Sequence, residues 1–170
     1  DEKLSWEVNV LASRFLIEKA VKYNVKNFIY ASSGSVYGIK KEKKVTEDLE
    51  LMPLSTYNKT KMIAERILLS FKDSFICHTV RPATVCGYSP RLRLDVSVNN
   101  LTMQALKNKE ITVYGGSQIR PNVNISDMSR IFQHFIFKKN QIKPGFYNAG
   151  FENLSIIGIA KKIKLLTDTK

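Results

Sequence analysis

The run Asn27-Phe28-Ile29-Tyr30-Ala31 constrains this chain more than any other stretch, because it is short, aromatic and β-branched, and stops abruptly in Ser32-Ser33-Gly34-Ser35-Val36-Tyr37-Gly38. Such a run reads as a buried strand. Before it, residues from about Leu4 to Tyr23 carry a helical row through Leu4, Val8, Leu11 and Phe15, with a second row through Val10 and Val21. After it, Ser55 or Thr56 is placed to cap a helix whose apolar row runs through Ile63, Ile67 and Phe71, and Phe75-Ile76-Cys77-His78-Thr79-Val80 reads as the next strand. Helices and strands alternating at this spacing imply parallel crossovers and an α/β sheet. Ligands of open α/β sheets bind beyond the carboxyl ends of the strands, which is where Ser33 is delivered.

Tyr57 and Lys61 supply candidate chemistry. If Tyr57 opens the helix, Lys61 lies one turn further along the same face. An ammonium beside a phenol favours the phenolate and lowers the tyrosine pKa from its usual value of about 10, as a general acid–base requires. The spacing alone also fits an amphipathic helix with a half-buried tyrosine and a solvated lysine. The hydroxyl cluster upstream gives the pair its weight.

The remaining sequence sets the bounds. A chain of 170 residues, 44% apolar, buries one core and at most one and a half domains. It has no apolar run of about 18 residues and no signal-peptide pattern at its start, so a soluble, cytoplasmic protein that spans no membrane is expected. Cys77 and Cys86 are too few for a zinc site or a disulfide framework, and no metal site is expected. The net charge of +12 invites comparison with nucleic-acid binders, but its densest run, Lys40-Lys41-Glu42-Lys43-Lys44, falls in an expected loop and most other lysines lie on polar helix sides. Nucleic acid is therefore not the expected partner, although positive potential attracts an anionic nucleotide. His78 sits inside a strand pattern and reads as a core or edge residue. Beyond Gly87 the texture changes: Ser89 to Arg93 is loop-like, 96–107 reads as a helix, and Ile111 to Tyr114 as a short strand closed by Gly115-Gly116. Asp127 reads as the cap of a helix containing Ile131, Phe132, Phe135 and Ile136, and a last helix covers about 155–166.

Ser-Ser-Gly-Ser-Val-Tyr-Gly followed by Tyr-Asn-Lys-Thr-Lys resembles the extended short-chain dehydrogenase/reductases that act on nucleotide sugars, the NAD-dependent epimerase/dehydratase family. Thr46-Glu47-Asp48, Arg81-Pro82-Ala83-Thr84-Val85-Cys86-Gly87, the stretch from Gly116 to Asp127 and Phe146-Tyr147-Asn148-Ala149-Gly150 resemble further family segments in the same order. The resemblance implies a partial Rossmann-type, doubly wound parallel sheet in residues 1–87. A smaller α/β substrate-binding region follows in 88–170, with the helix near 127–139 packing on the first domain. It also implies that Ser33, Tyr57 and Lys61 are catalytic, and that Asn9, Pro82 and Ala83 join them in holding NAD, with NADP still open. Thr84, Asn99 and Arg120 are then the contacts to a nucleotide-diphosphate sugar, and a guanidinium such as that of Arg120 suits bidentate binding of phosphate.

Three departures sharpen this. Ser33-Gly34-Ser35 stands where dehydratases carry Thr-Asp-Glu, so water elimination is not expected. Thr84 and Asn124 stand where many relatives have asparagine and histidine. The eight glycines form no Gly-x-Gly-x-x-Gly turn, so the chain is expected to represent the later part of a longer enzyme and to bind the dinucleotide weakly by itself. The implied activity is epimerisation at sugar C4 through a keto intermediate. Oxidation or reduction of a nucleotide sugar is the second reading, and a non-catalytic NAD- or RNA-binding relative the third. The resemblance further implies a homodimer built on the helices holding Phe15 and Tyr57.

Overall fold

A computed structural model describes residues 1–42 and 44–167; Lys43, inside the basic run expected to form a loop, lies outside the described residues. The chain divides into two compact units, one formed by Asp1–Pro82 and Phe132–Ala149, the other by Ala83–Ile131 and Gly150–Lys170.

The first unit opens with α1 (Glu2–Trp6), capped by the Asp1 carboxylate, which accepts from the Leu4 amide. A π-helical turn (Glu7–Leu11) carries the helix on into α2 (Ala12–Lys22). Then follow β1 (Asn27–Ala31), a 3-10 turn (Gly34–Tyr37), α3 (Thr56–Ser70) and β2 (Ile76–Pro82). Ser55 caps α3 by accepting from the Asn58 amide, as its side-chain chemistry predicts. The third strand of this sheet, β5 (Gly145–Ala149), comes from the far end of the chain. The strand order is β1-β2-β5, all parallel, with Ala31 paired to Val80 and Pro82 to Ala149. All three strands therefore end at the same edge, and Ser33 lies just past β1.

The core of this unit joins Ile17 and Ala20 of α2, Tyr30 of β1, Ala64 and Leu68 of α3, and Phe75. Two expected faces differ from this arrangement. Leu4, Val8, Leu11 and Phe15 lie between 54% and 62% exposed, while Val10, Ile17 and Ala20 are buried, so the more conspicuous apolar row points away from the core. On α3 the buried line is Thr60, Ala64 and Leu68 together with Glu65, and Ile63 and Ile67 are only half-buried. His78 is wholly buried, its ring 5.1 Å from that of Phe135.

The second unit contains β3 (Thr84–Cys86), α4 (Ser97–Asn108), β4 (Ile119–Asn124), β6 (Glu152–Ser155) and α6 (Ile156–Thr167). Helix α5 (Ile125–Phe137) belongs to it as far as Ile131. Its sheet is mixed: β3 pairs parallel with β4, and β4 antiparallel with β6. Leu101 and Ala105 pack on Ile159, Ala160 and Ile163. Two expectations are corrected here. Ile111 to Tyr114 forms no strand; Ile111 and Val113 dock as isolated side chains against the α4–α6 core. At the start of α5, the Asn124 side chain accepts from the Ser126 amide, whereas Asp127 lies within the first turn and pairs with Arg130. Among the described residues, no helix is long and apolar enough to cross a membrane, and no cluster of side chains suits a metal ion.

Candidate active site

Ser33 leaves β1 in an extended conformation and caps the 3-10 turn, its hydroxyl accepting from the Ser35 amide at 3.3 Å. The Ser33 and Ser35 hydroxyls lie 2.7 Å apart, and Ser35 donates onward to the Asn58 side-chain carbonyl at 2.6 Å. Asn58 directly follows Tyr57 on α3. The serine turn is thus hydrogen-bonded to the first turn of the helix that carries the tyrosine.

Tyr57 is 46% exposed. One turn on, the Lys61 ammonium donates to the Ala31 carbonyl at 3.0 Å, at the carboxyl end of β1. It lies 5.9 Å from the centroid of the Tyr57 ring and 5.1 Å from that of Tyr30, within the range of cation–π attraction. Burial pushes the lysine pKa below its ordinary value, against an opposing pull from the Glu65 carboxylate. Burial likewise pushes the Tyr30 phenol up to about 12, so Tyr30 stays protonated, its ring part of the core of this unit.

Asn9 enters from the π-helical turn. Its amide donates to the Thr60 hydroxyl at 3.1 Å, and that hydroxyl donates to the Tyr57 carbonyl at 2.9 Å. The extra residue per turn in π geometry sets the phase at which Asn9 meets α3, and such turns recur at functional sites. Pro82 ends β2, with its carbonyl oxygen only 3.1 Å from where a Cβ on Gly34 would stand. Asn9, Ser33, Tyr57, Lys61 and Pro82 accordingly all belong to the first unit.

The other expected contacts belong to the second. Ala83 is its first residue, and Thr84 opens β3 opposite Asn122. Asn99 accepts from the Gly87 amide at 2.9 Å and donates to the Arg93 carbonyl at 2.9 Å, which braces the loop between β3 and α4. Arg120 stands on β4, its side chain exposed. Cys77 and Cys86 are free thiols with pKa values raised by burial, Cys77 to about 11, which makes them poor nucleophiles.

Sequence reasoning passed over Ser35 and Asn58, which link the serine turn to α3. It also passed over the buried pair Arg81 and Glu65. A carboxylate four residues after Lys61 was the available signal for Glu65, but its burial is visible only once β2 is in place.

The family described as NAD dependent epimerase/dehydratase matches residues 1–150. A protein of Bacillus subtilis described as an uncharacterized UDP-glucose epimerase is 31% identical over 95% of this chain and 51% of its own length. The UDP-glucose 4-epimerase of Lactobacillus helveticus is 28% identical over 93% of this chain and 54% of its own. The crystal structure of a UDP-glucuronic acid 4-epimerase from Bacillus cereus, in complex with NAD, superposes with a TM-score of 0.84 at 30% identity, covering 95% of this chain and 53% of that one. The chain thus spans about half the length of the relatives it matches. With the family match over most of its residues and the same parallel sheet beneath its serine, tyrosine and lysine, this chain belongs to the NAD dependent epimerase/dehydratase family.

Proposed function

We propose that this chain carries the acid–base part of an NAD-dependent nucleotide-sugar epimerase acting at sugar C4. The observation that carries this reading is the placement of the Lys61 ammonium, fixed on the Ala31 carbonyl and facing the Tyr57 ring, beside a serine turn bonded to Asn58. The family's cofactor suits the first unit: an ammonium, a hydroxyl and an amide are gathered near the carboxyl ends of three parallel strands, a donor set fit for a ribose and a carboxamide. Asn9, Ser33, Tyr57, Lys61, Pro82 and Ala83 are the residues that would hold it. When bound, NAD supplies the hydride acceptor for oxidation and the donor for the return.

Tyr57 as phenolate takes the proton from the C4 hydroxyl and gives it back when the ketone is reduced on its other face. Ser33 donates a hydrogen bond to the reacting oxygen and keeps it within reach of Tyr57. Lys61 steadies the phenolate. In the second unit, Arg120 binds the diphosphate, Thr84 lines the sugar, and Asn99 acts by holding the loop after β3. Gly34 and Ser35 offer no carboxyl pair for water elimination, which favours epimerisation over dehydration. The working protein is proposed to be cytoplasmic and a homodimer joined through the apolar stripe of α1 and α2 together with α3.

The native protein, given NAD and UDP-glucose or UDP-glucuronic acid, is expected to form the C4 epimer. Tyr57→Phe should lower turnover by about 10²- to 10⁴-fold while retaining nucleotide-sugar binding by calorimetry. Near-normal rates in that variant, or no epimer from the wild type with either sugar, would overturn the assignment.

A further inference from the structure

Arg81, on β2, is 4% exposed, and the Glu65 carboxylate it meets on α3 is 2% exposed. The contact is a bidentate fork: Nε donates to Oε1 at 3.0 Å and Nη2 to Oε2 at 2.8 Å. The third nitrogen, Nη1, donates to the Tyr37 hydroxyl at 2.7 Å and to the Glu47 carbonyl at 3.3 Å. The guanidinium carbon lies 4.9 Å from the Tyr37 ring centroid and 4.5 Å from that of Phe146. The Tyr37 hydroxyl donates in turn to the Asn148 side chain, whose amide nitrogen donates to the Val45 carbonyl, while the Asn148 backbone amide donates to the Glu47 carboxylate. Burial pulls the Arg81 pKa down, but the hydrogen bonds and charge of Glu65 and Tyr37 outweigh it and leave the group above its ordinary value. Arg81 is permanently charged.

A buried ion pair of this kind is weak evidence for stability, because well-packed apolar residues commonly do as well. What such a pair does supply is direction. A guanidinium fork is planar and rigid, and here each of its edges reaches a different segment. Glu65 stands one helical turn beyond Lys61 on α3. Tyr37 closes the 3-10 turn that Ser33 caps. The strand carrying Arg81 pairs with β1 on one side and β5 on the other.

Resting on the reading of Ser33, Tyr57 and Lys61 given above, we propose that Arg81 is a positioning residue whose fork sets the rotation of α3 against the serine turn. It thereby fixes where Lys61 and Tyr57 stand relative to Ser33.

The decisive variant replaces both partners, Glu65→Leu with Arg81→Met, so that no buried charge is left unpaired. Its melting temperature is expected to stay within a few degrees of the wild type. The Lys61 titration is then followed by NMR on protein with 13C at the lysine Cε, the resonance assigned by its loss in Lys61→Arg. Among the described residues, Tyr30, Tyr57 and Glu65 are titratable groups that face this ammonium. Losing the Glu65 charge alone moves the Lys61 pKa further down, whereas release of α3 from its seat exposes the ammonium and moves it up toward the ordinary lysine value. The two causes have opposite signs. An upward shift is expected, with turnover at saturating substrate falling about 10²-fold while KM changes little. A downward or absent shift overturns the proposal, and so does unchanged turnover.

Should the double variant fold poorly, Arg81→Lys keeps the charge without the fork, and an upward Lys61 shift and the same loss of turnover are expected. Retention of both the wild-type titration and the wild-type rate in that variant overturns the proposal. If the wild type turns over no nucleotide sugar, the epimerase reading fails while the NMR comparison still decides the role of Arg81.

Discussion

Lys61 is the residue whose surroundings say most about the chemistry. It combines a carbonyl partner, two tyrosine faces and enough burial to lower its pKa from 10.5. A lysine whose pKa falls on folding holds its proton less tightly when folded, so the charge opposes folding below the lowered value. That cost fades as pH rises from the lowered value through 10.5. The stability difference between wild type and Lys61→Met should therefore move in favour of the wild type across that window, as read by urea unfolding at stepped pH. The Tyr30 phenol is present in both proteins and largely cancels. A flat difference would mean that the ammonium is solvated. At this scale the sequence was informative where spacing is local: Tyr57 and Lys61 are neighbours by helix periodicity alone, and Ser33 follows from the end of a strand. Arg81 and Glu65 stayed hidden because their meeting depends on which strand lies beneath which helix, and no spacing along the chain encodes that.

Among the elements, the 3-10 turn is the most tightly specified. It ends at Gly38, whose φ of +71° lies in the left-handed region and whose missing Cβ would stand 2.1 Å from the Met52 carbonyl oxygen. Gly38→Ala is therefore expected to cost about 2–3 kcal/mol or more, through backbone strain joined to a clash with main chain that cannot rotate away. Thermal unfolding of that variant would measure it, and a loss below about 0.5 kcal/mol would show that the turn relaxes freely. The sequence located the helices and the strands β1 and β2 of the first unit because each carries a run of apolar residues. It left β3, β4 and β6 unassigned, since these strands are short and their burial is uneven: β4 reads Ile-Arg-Pro-Asn-Val-Asn, with only Asn122 and Val123 buried. Ile111 to Tyr114 had the better strand composition. Ile111 and Val113 nevertheless pack as separate side chains against the α4–α6 core, and Tyr114 is left exposed.

On the scale of the whole molecule, Leu4, Val8, Leu11 and Phe15 form an exposed apolar row along one helical stretch, the kind of patch that marks an interaction surface. If the dimer proposed above forms through it, Phe15→Glu should shift the light-scattering mass of the native protein toward the monomer without lowering its melting temperature; an unchanged mass would place the interface elsewhere. The 170-residue chain alone, without a glycine-rich turn to cradle the pyrophosphate, is expected to show no tight stoichiometric uptake of NAD in a calorimetric titration. Saturable micromolar binding would contradict this.

The interrupted layout of the first unit also has a consequence for synthesis. Its sheet is begun by Pro82 but its third strand arrives only with Gly145, after the whole stretch from Ala83 to Ile131 has been made. At translation speeds of about 5–20 residues per second, β2 waits several seconds on the ribosome with one edge open. During that interval Arg81 and Tyr37 lack Phe146 and Asn148. Codon choice and chaperone access over those residues therefore bear on whether a newborn chain completes this sheet or pairs that edge with a neighbour.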